Sequence, residues 1–264
     1  MHLRTWTCVA LAAAAALSAC RATFRLSRYQ TNQALYDATL REFERGKWAN
    51  AIIGFEKLTN DLPARDTLLP RAYWYLAVSH SRQREHLLAA QSYTRLYESF
   101  SDDTLADDAA LEAARSYRKL WRKPTLDPTY GETAVATFNT LLGLYGETSP
   151  HADVARQEIL ELEEMFAAKN YETGRYYYRR KAYDSAVIFL KTVLERWPHV
   201  QKARETMILL AETYKQIRYR EDLAEICSKL RREFPGDRDG ARVCDGVAVV
   251  ADSVATSAKP PSAP

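Results

Sequence analysis

Glycine is scarce in this 264-residue chain, nine residues in all, well under the usual share of about 7%. Phosphate-cradling loops and tight hairpins both consume glycine, so the shortage weighs against nucleotide folds and β-meanders and favours helices. No apolar run reaches the roughly 18 residues of a membrane-spanning helix, which excludes a polytopic membrane protein. Charge of one sign is also missing. Lys+Arg 37 against Asp+Glu 34 leaves +3, too balanced to point to nucleic acid. The four cysteines form no C-x-x-C, so thioredoxin-like redox chemistry and paired-cysteine zinc sites lack support. What the chain does have is bulk: 47% hydrophobic residues, sixteen tyrosines and five tryptophans. That is enough for a large core and for amphipathic surfaces.

The amino terminus reads as an address. Arg4 precedes an apolar stretch from Cys8 to Leu17 built on consecutive alanines, too short to span a bilayer but right for a secretory signal. It ends Leu17-Ser18-Ala19-Cys20, which resembles the bacterial lipobox. That resemblance implies cleavage before Cys20 and acylation of its sulfur, a membrane anchor without a spanning helix. Arg21 follows where an Asp would imply retention at the inner membrane, so the resemblance implies export to the outer membrane. An ordinary signal peptide with a chance cysteine is the alternative. Residues 1–19 are then signal, 20–30 a lipidated linker, and 257–264, rich in proline and small residues, a disordered tail. Cys227 and Cys244 remain, in a compartment that permits disulfides. Their spacing allows a disulfide worth about 3 kcal/mol or two small buried residues.

The body repeats itself. Ala51, Phe55 and Leu58 place a small, an aromatic and an aliphatic residue on one helical stripe, and Pro63 follows as a stop. The steps recur at Ala89, Tyr93 and Leu96; at Ala134, Phe138 and Leu141; at Ala186, Leu190 and Val193; and at Leu223, Cys227 and Leu230. Upstream, Ala77 and His80, Gly174 and Tyr177, and Ala211 and Tyr214 stand at the spacing of the small and aromatic pair on the first helix of a tetratricopeptide repeat. Small residues let antiparallel helices approach and large ones fill the neighbour's groove. Each match alone is weak, but five in succession predict an all-α, right-handed superhelical solenoid of five irregular repeats over residues 31–256. Residues 123–131, with two prolines and a glycine, are expected to form a loop. From Ala152 to Tyr171 a run without glycine or proline predicts one long helix, continuing to about Tyr178. A last amphipathic helix over 240–254 is expected to cap the stack.

Several segments resemble the BamD family of outer-membrane β-barrel assembly lipoproteins. They are Gly46-Lys-Trp-Ala-Asn-Ala-Ile-Ile-Gly-Phe-Glu56, Asp127 before Thr133-Ala-Val-Ala-Thr-Phe138, Ser149-Pro-His-Ala152, Tyr176-Tyr-Tyr-Arg-Arg180, Trp197-Pro198 and Leu209-Leu-Ala-Glu-Thr-Tyr214. The resemblance implies a scaffold that binds the barrel-forming BamA-like subunit through its periplasmic domains, other lipoproteins of the complex, and the C-terminal signal strand of unfolded outer-membrane proteins. Groove positions of tetratricopeptide arrays fall here on Gln33, Tyr36, Leu40, Phe43 and Glu44, and on Arg71, Trp74, Val78, Ser81 and Arg82. In the fourth repeat they fall on Ala168, Tyr171, Arg175, Tyr178 and Arg179. Tyr36, Leu40, Phe43, Arg71, Trp74, Val78 and Arg82 are the expected peptide groove, and Tyr171, Arg175, Tyr178 and Arg179 the expected partner surface. An adaptor lipoprotein for Tol–Pal or peptidoglycan-related complexes is the second reading.

Catalytic motifs and cofactor sites find no footing. Ser116-Tyr-Arg-Lys119 matches S-x-x-K, but its companion motifs are missing, and it reads as a solvated helix face. The histidines show neither the i, i+4 pairing of H-E-x-x-H nor a cysteine partner at zinc spacing. Asp102, Asp103, Asp107 and Asp108 open a helix, where carboxylates cap free N–H groups.

Overall fold

Each small–large–aliphatic stripe becomes the buried side of the second helix of a hairpin. In the computed structural model, residues 24–146 and 148–247 are described. The signal, Cys20 and the tail lie outside them. Eleven α-helices and one 3₁₀ turn, Leu26–Arg28, make up the described residues, with no strand among them. Ten of the helices form five consecutive pairs: α1 Asn32–Glu44 with α2 Trp48–Asp61, α3 Leu69–Arg82 with α4 His86–Ser99, α5 Ala106–Leu120 with α6 Thr129–Tyr145, α7 Ala152–Arg179 with α8 Tyr183–Arg196, and α9 Lys202–Ile217 with α10 Arg220–Glu233. The short α11, Arg238–Val243, follows. Every stripe residue named above is buried except Leu223, which is half-buried.

Two compact units result, 24–116 and 117–247, divided inside α5. The division falls just ahead of the proline-bearing connection 121–128, the widest gap between the two helices of any pair.

In the first unit Phe55 of α2 is fully buried, edge-on to Tyr36 (5.9 Å) and stacked on Tyr75 of α3 (5.5 Å). Glu42 ties the first turn together, accepting from Lys47 Nζ at 2.9 Å and Asn50 Nδ2 at 2.6 Å. Burial alone would raise its pKa, but these bonds outweigh burial and hold it below the usual carboxylate range. A carboxylate depressed by folding stabilises at neutral pH and loses that contribution as pH falls through the acid range. Glu42→Gln should therefore narrow the drop in melting temperature between pH 7 and pH 4. An unchanged drop would show that other carboxylates carry it.

The second unit is built on α7, whose 28 residues span about 42 Å at 1.5 Å per residue. Gly174 shows why the small position matters: a Cβ there would stand 2.7 Å from Leu190 Cγ of α8. Arg118 binds Glu158 and Glu161 of α7, the latter at 2.5 Å. Lys169 donates to the carbonyls of Pro124 (3.3 Å) and Leu126 (2.9 Å), pinning the connection. Cys227 and Cys244 are joined as a disulfide, Cα–Cα 5.6 Å.

Three local expectations need correction. The loop over 123–131 is shorter, because α6 starts at Thr129. Pro128 sits at its N-cap, where a missing N–H costs nothing, and Gly131 is buried where any Cβ would fall into the Trp121 ring. The capping helix over 240–254 is instead the six-residue α11. It ends at Val243 because Cys244 is held by the disulfide and Gly246, at φ 71°, turns the chain away; residues from 248 lie outside the described ones. The S-x-x-K stretch is not a solvated face: Ser116 is buried and Arg118 is paired, so only Lys119 is exposed.

Candidate functional site

Helix period decides which of the expected groove residues can meet a ligand. Arg71, Trp74, Val78 and Arg82 follow one another by three, four and four residues, which puts them on one stripe of α3. Arg71 and Arg82 are exposed, Trp74 and Val78 half-buried. Trp74 packs edge-on against Tyr93 of α4 (5.3 Å), so its ring is fixed from behind. The Arg82 guanidinium lies 5.8 Å from the Trp48 ring, which in turn abuts Phe43. A rigid aromatic surface flanked by two cations offers stacking area and bidentate donors for a carboxylate.

Tyr36 and Leu40 do not belong to that surface. Tyr36 is only 6% exposed and sits in the core with Phe55, where burial first of all raises its hydroxyl pKa. Leu40 packs on the same core, and Phe43 is wedged between Trp48 and Tyr75. Their positions on the first helix turn them toward α2 and α3, so they support the stripe from beneath.

The second set sits on α7 in the other unit. Tyr171 is held between two cations, Arg175 at 6.0 Å and Lys202 Nζ at 5.1 Å. Burial and then Glu205 raise its pKa, and Arg175 and Lys202 oppose them. Arg175 is paired with Glu172 at 2.5 Å. Tyr178 stands edge-on to Tyr183 (5.7 Å), its hydroxyl pKa raised by burial and by Glu212. Arg179, at the helix end, is exposed. The surface is thus tyrosine-rich with charges largely neutralised in place, except at Arg179.

One feature of this unit escaped the sequence. An open cleft of about 620 Å³ lies between α6 and α7 and is closed at one end by Trp197. Val135, Ala136 and Phe166 give it an apolar floor, and Asn139 and Asn170 add polar edges. Phe166 stacks on Trp197 (5.6 Å, 10°), a pairing of residues 31 positions apart that no local spacing announces. Asp127 and Ser149, prominent in the family resemblance, turn out to serve the backbone. Asp127 accepts from Thr129 N at 3.0 Å, and Ser149 Oγ from His151 N at 3.1 Å, at the entries to α6 and α7.

Comparison with known proteins adds the following. Residues 28–230 match the YfiO family model, described as an outer membrane lipoprotein. The outer membrane protein assembly factor BamD of Caulobacter vibrioides is 24% identical over 208 residues, covering 77% of this chain and 66% of that relative. The match thus spans slightly less than two thirds of the relative's length. Among solved structures, the TPR domain of P58(IPK) is similar over 80% of this chain and 54% of its own, at 14% identity and a TM-score of 0.43. A TPR repeats protein from Bacteroides fragilis is similar over 83% of this chain and 98% of its own, at 10% identity and a TM-score of 0.47.

Proposed function

The chain belongs to the YfiO family of outer membrane lipoproteins, and from that premise we propose that it is a non-enzymatic scaffold of outer-membrane β-barrel assembly. In this reading Cys20 carries the lipid anchor and the helical repeats stand in the periplasm. The Arg71–Trp74–Val78–Arg82 stripe receives the aromatic-ended C-terminal strand of an unfolded barrel protein. The α7 surface around Tyr171, Tyr178 and Arg179 meets the periplasmic domains of a BamA-like barrel subunit. Other lipoproteins of the complex dock elsewhere on the repeats.

The observation that carries the groove assignment is the pairing of a braced, half-exposed Trp74 with the exposed guanidinium of Arg71 on one helix stripe. A tryptophan anchor beside arginine is the composition of an interface hot spot. Trp74→Ala combined with Arg71→Glu should weaken binding of a peptide ending in an aromatic residue and a free carboxylate by about tenfold or more. Far-UV circular dichroism should stay unchanged, and equal affinity would remove the groove from α3. The wider role is tested by affinity purification of the tagged protein from solubilised envelopes. Recovery of a barrel protein with repeated periplasmic domains supports assembly. Recovery of Tol–Pal or peptidoglycan enzymes in its place overturns it.

A further inference from the structure

The turns within the second unit's helix pairs carry cations where the backbone favours glycine. Lys181 between α7 and α8, and Arg218 between α9 and α10, both adopt φ 60°. In the first unit Gly46 (φ 71°) and Arg84 (φ 64°) fill the corresponding turns; glycine is the residue expected at a left-handed position, which L side chains enter at a cost. In an array of antiparallel helices joined by short turns, α7/α8 and α9/α10 reverse at the same end. Arg180 and Lys181 therefore share an edge with Lys215, Arg218 and Arg220, and all five are exposed. Among the described residues, none of these five side chains is in an ion pair. The facing carboxylates are Asp184, Glu221 and Asp222, in the first turns of α8 and α10. Asp222 is engaged by the Tyr214 hydroxyl.

Two tyrosines stand among these cations. Tyr176 is 52% exposed beneath the Arg180 guanidinium (5.1 Å), and Tyr219 is 50% exposed beside Arg218. Cations outside any ion pair, interleaved with half-exposed phenol rings, are the composition that settles at a phospholipid headgroup layer. There the rings enter the interface and the cations meet phosphate.

We propose that this edge of the second unit rests on an anionic phospholipid surface, orienting the repeats on the membrane to which the chain is attached. An acidic protein would be met equally well by the charges, but the rings of Tyr176 and Tyr219, each set against a neighbouring tyrosine (Tyr177 at 5.4 Å, Tyr214 at 6.2 Å) and still half-exposed, suit a headgroup layer.

The test uses the protein purified from envelopes and mixed with vesicles of phosphatidylcholine alone or with 30 mol% phosphatidylglycerol. Hydrogen exchange is followed over 176–182 and 215–221. We expect at least threefold slower exchange at both turns on the anionic vesicles only, reversed by 0.5 M salt and absent in Lys181→Gly/Arg218→Gly. Because glycine relieves the backbone, that variant should melt at the same or a higher temperature, so lost protection cannot be laid to unfolding. Equal exchange on the two vesicle types overturns the proposal, including the case in which an acidic protein partner protects the same turns. Retention on phosphatidylcholine vesicles reports the anchor at Cys20 separately, and recovery of assembly partners is read by another experiment.

Discussion

Replacing Trp121 with alanine should destabilise the second unit by about 3–5 kcal/mol, the range for deleting a buried tryptophan from a close-packed core. Trp121 is 1% exposed, and its ring stacks on Phe166 at 4.5 Å, which stacks in turn on Trp197 at 5.6 Å. Gly131 closes the other side so tightly that no Cβ could enter without displacing the ring. One residue thus holds the end of α5 against α6 and α7. Among the described residues the indole Nε1 has no hydrogen-bond partner, so Trp121→Phe should recover much of the deficit. Urea unfolding followed by circular dichroism measures both variants. A deficit under about 1 kcal/mol for alanine would mean that the cavity collapses and that Arg118 and Lys169 hold the connection alone. The same ladder borders the α6–α7 cleft through Phe166 and Trp197. Loss of Trp121 should therefore disturb that cleft as well.

The repeat register was legible because it depends on spacing within one helix, and helix period converts spacing directly into a face. Ala51, Phe55 and Leu58 could be placed in a core without knowing what they touched. The long α7 was legible for the same reason, through its unbroken run from Ala152. The ladder of Trp121, Phe166 and Trp197 was not, since it joins three helical segments by contacts 45 and 31 residues apart. Gly131 misled the loop boundary: a glycine after two prolines suggests a turn, yet here it serves helix packing against Trp121. Tyr36 shows a further limit. Its groove position in the repeat is correct by count, but in the first repeat the neighbouring Phe55 and Tyr75 close over that place. Arg71 and Trp74, in the opening turns of the next first helix, keep theirs open. The resemblance to barrel-assembly lipoproteins rested on short segments spread over the chain. The family match over 28–230 covers the same stretch.

Removing the disulfide should release the carboxy-terminal end while leaving the rest of the second unit folded. The bridge closes a loop of 17 residues, worth about 3 kcal/mol if its effect is chiefly on the unfolded chain. Helix α11 has only six residues, too few to persist alone, so it depends on what holds it. Three ties do so: the disulfide, Arg204 bound to Asp237 and Asp239, and Arg231 donating to the carbonyls of Cys244 (2.8 Å) and Val247 (3.2 Å). The two arginine ties are partly buried but non-covalent, so the covalent one is expected to dominate. Cys227→Ala/Cys244→Ala should give protease cleavage and fast hydrogen exchange over 234–247. The α7–α8 core should exchange as before, since Leu190 and Val193 are buried on α8, facing the long α7. Both cysteines are fully buried, so a reductant should act on the intact protein only through opening of this end. Its effect should therefore match the double variant's and appear more slowly than for an exposed bridge. If α11 keeps its protection in the double variant, the arginine ties and the seat of Gly240 against Leu230 are sufficient, and the disulfide serves the unfolded chain rather than the cap.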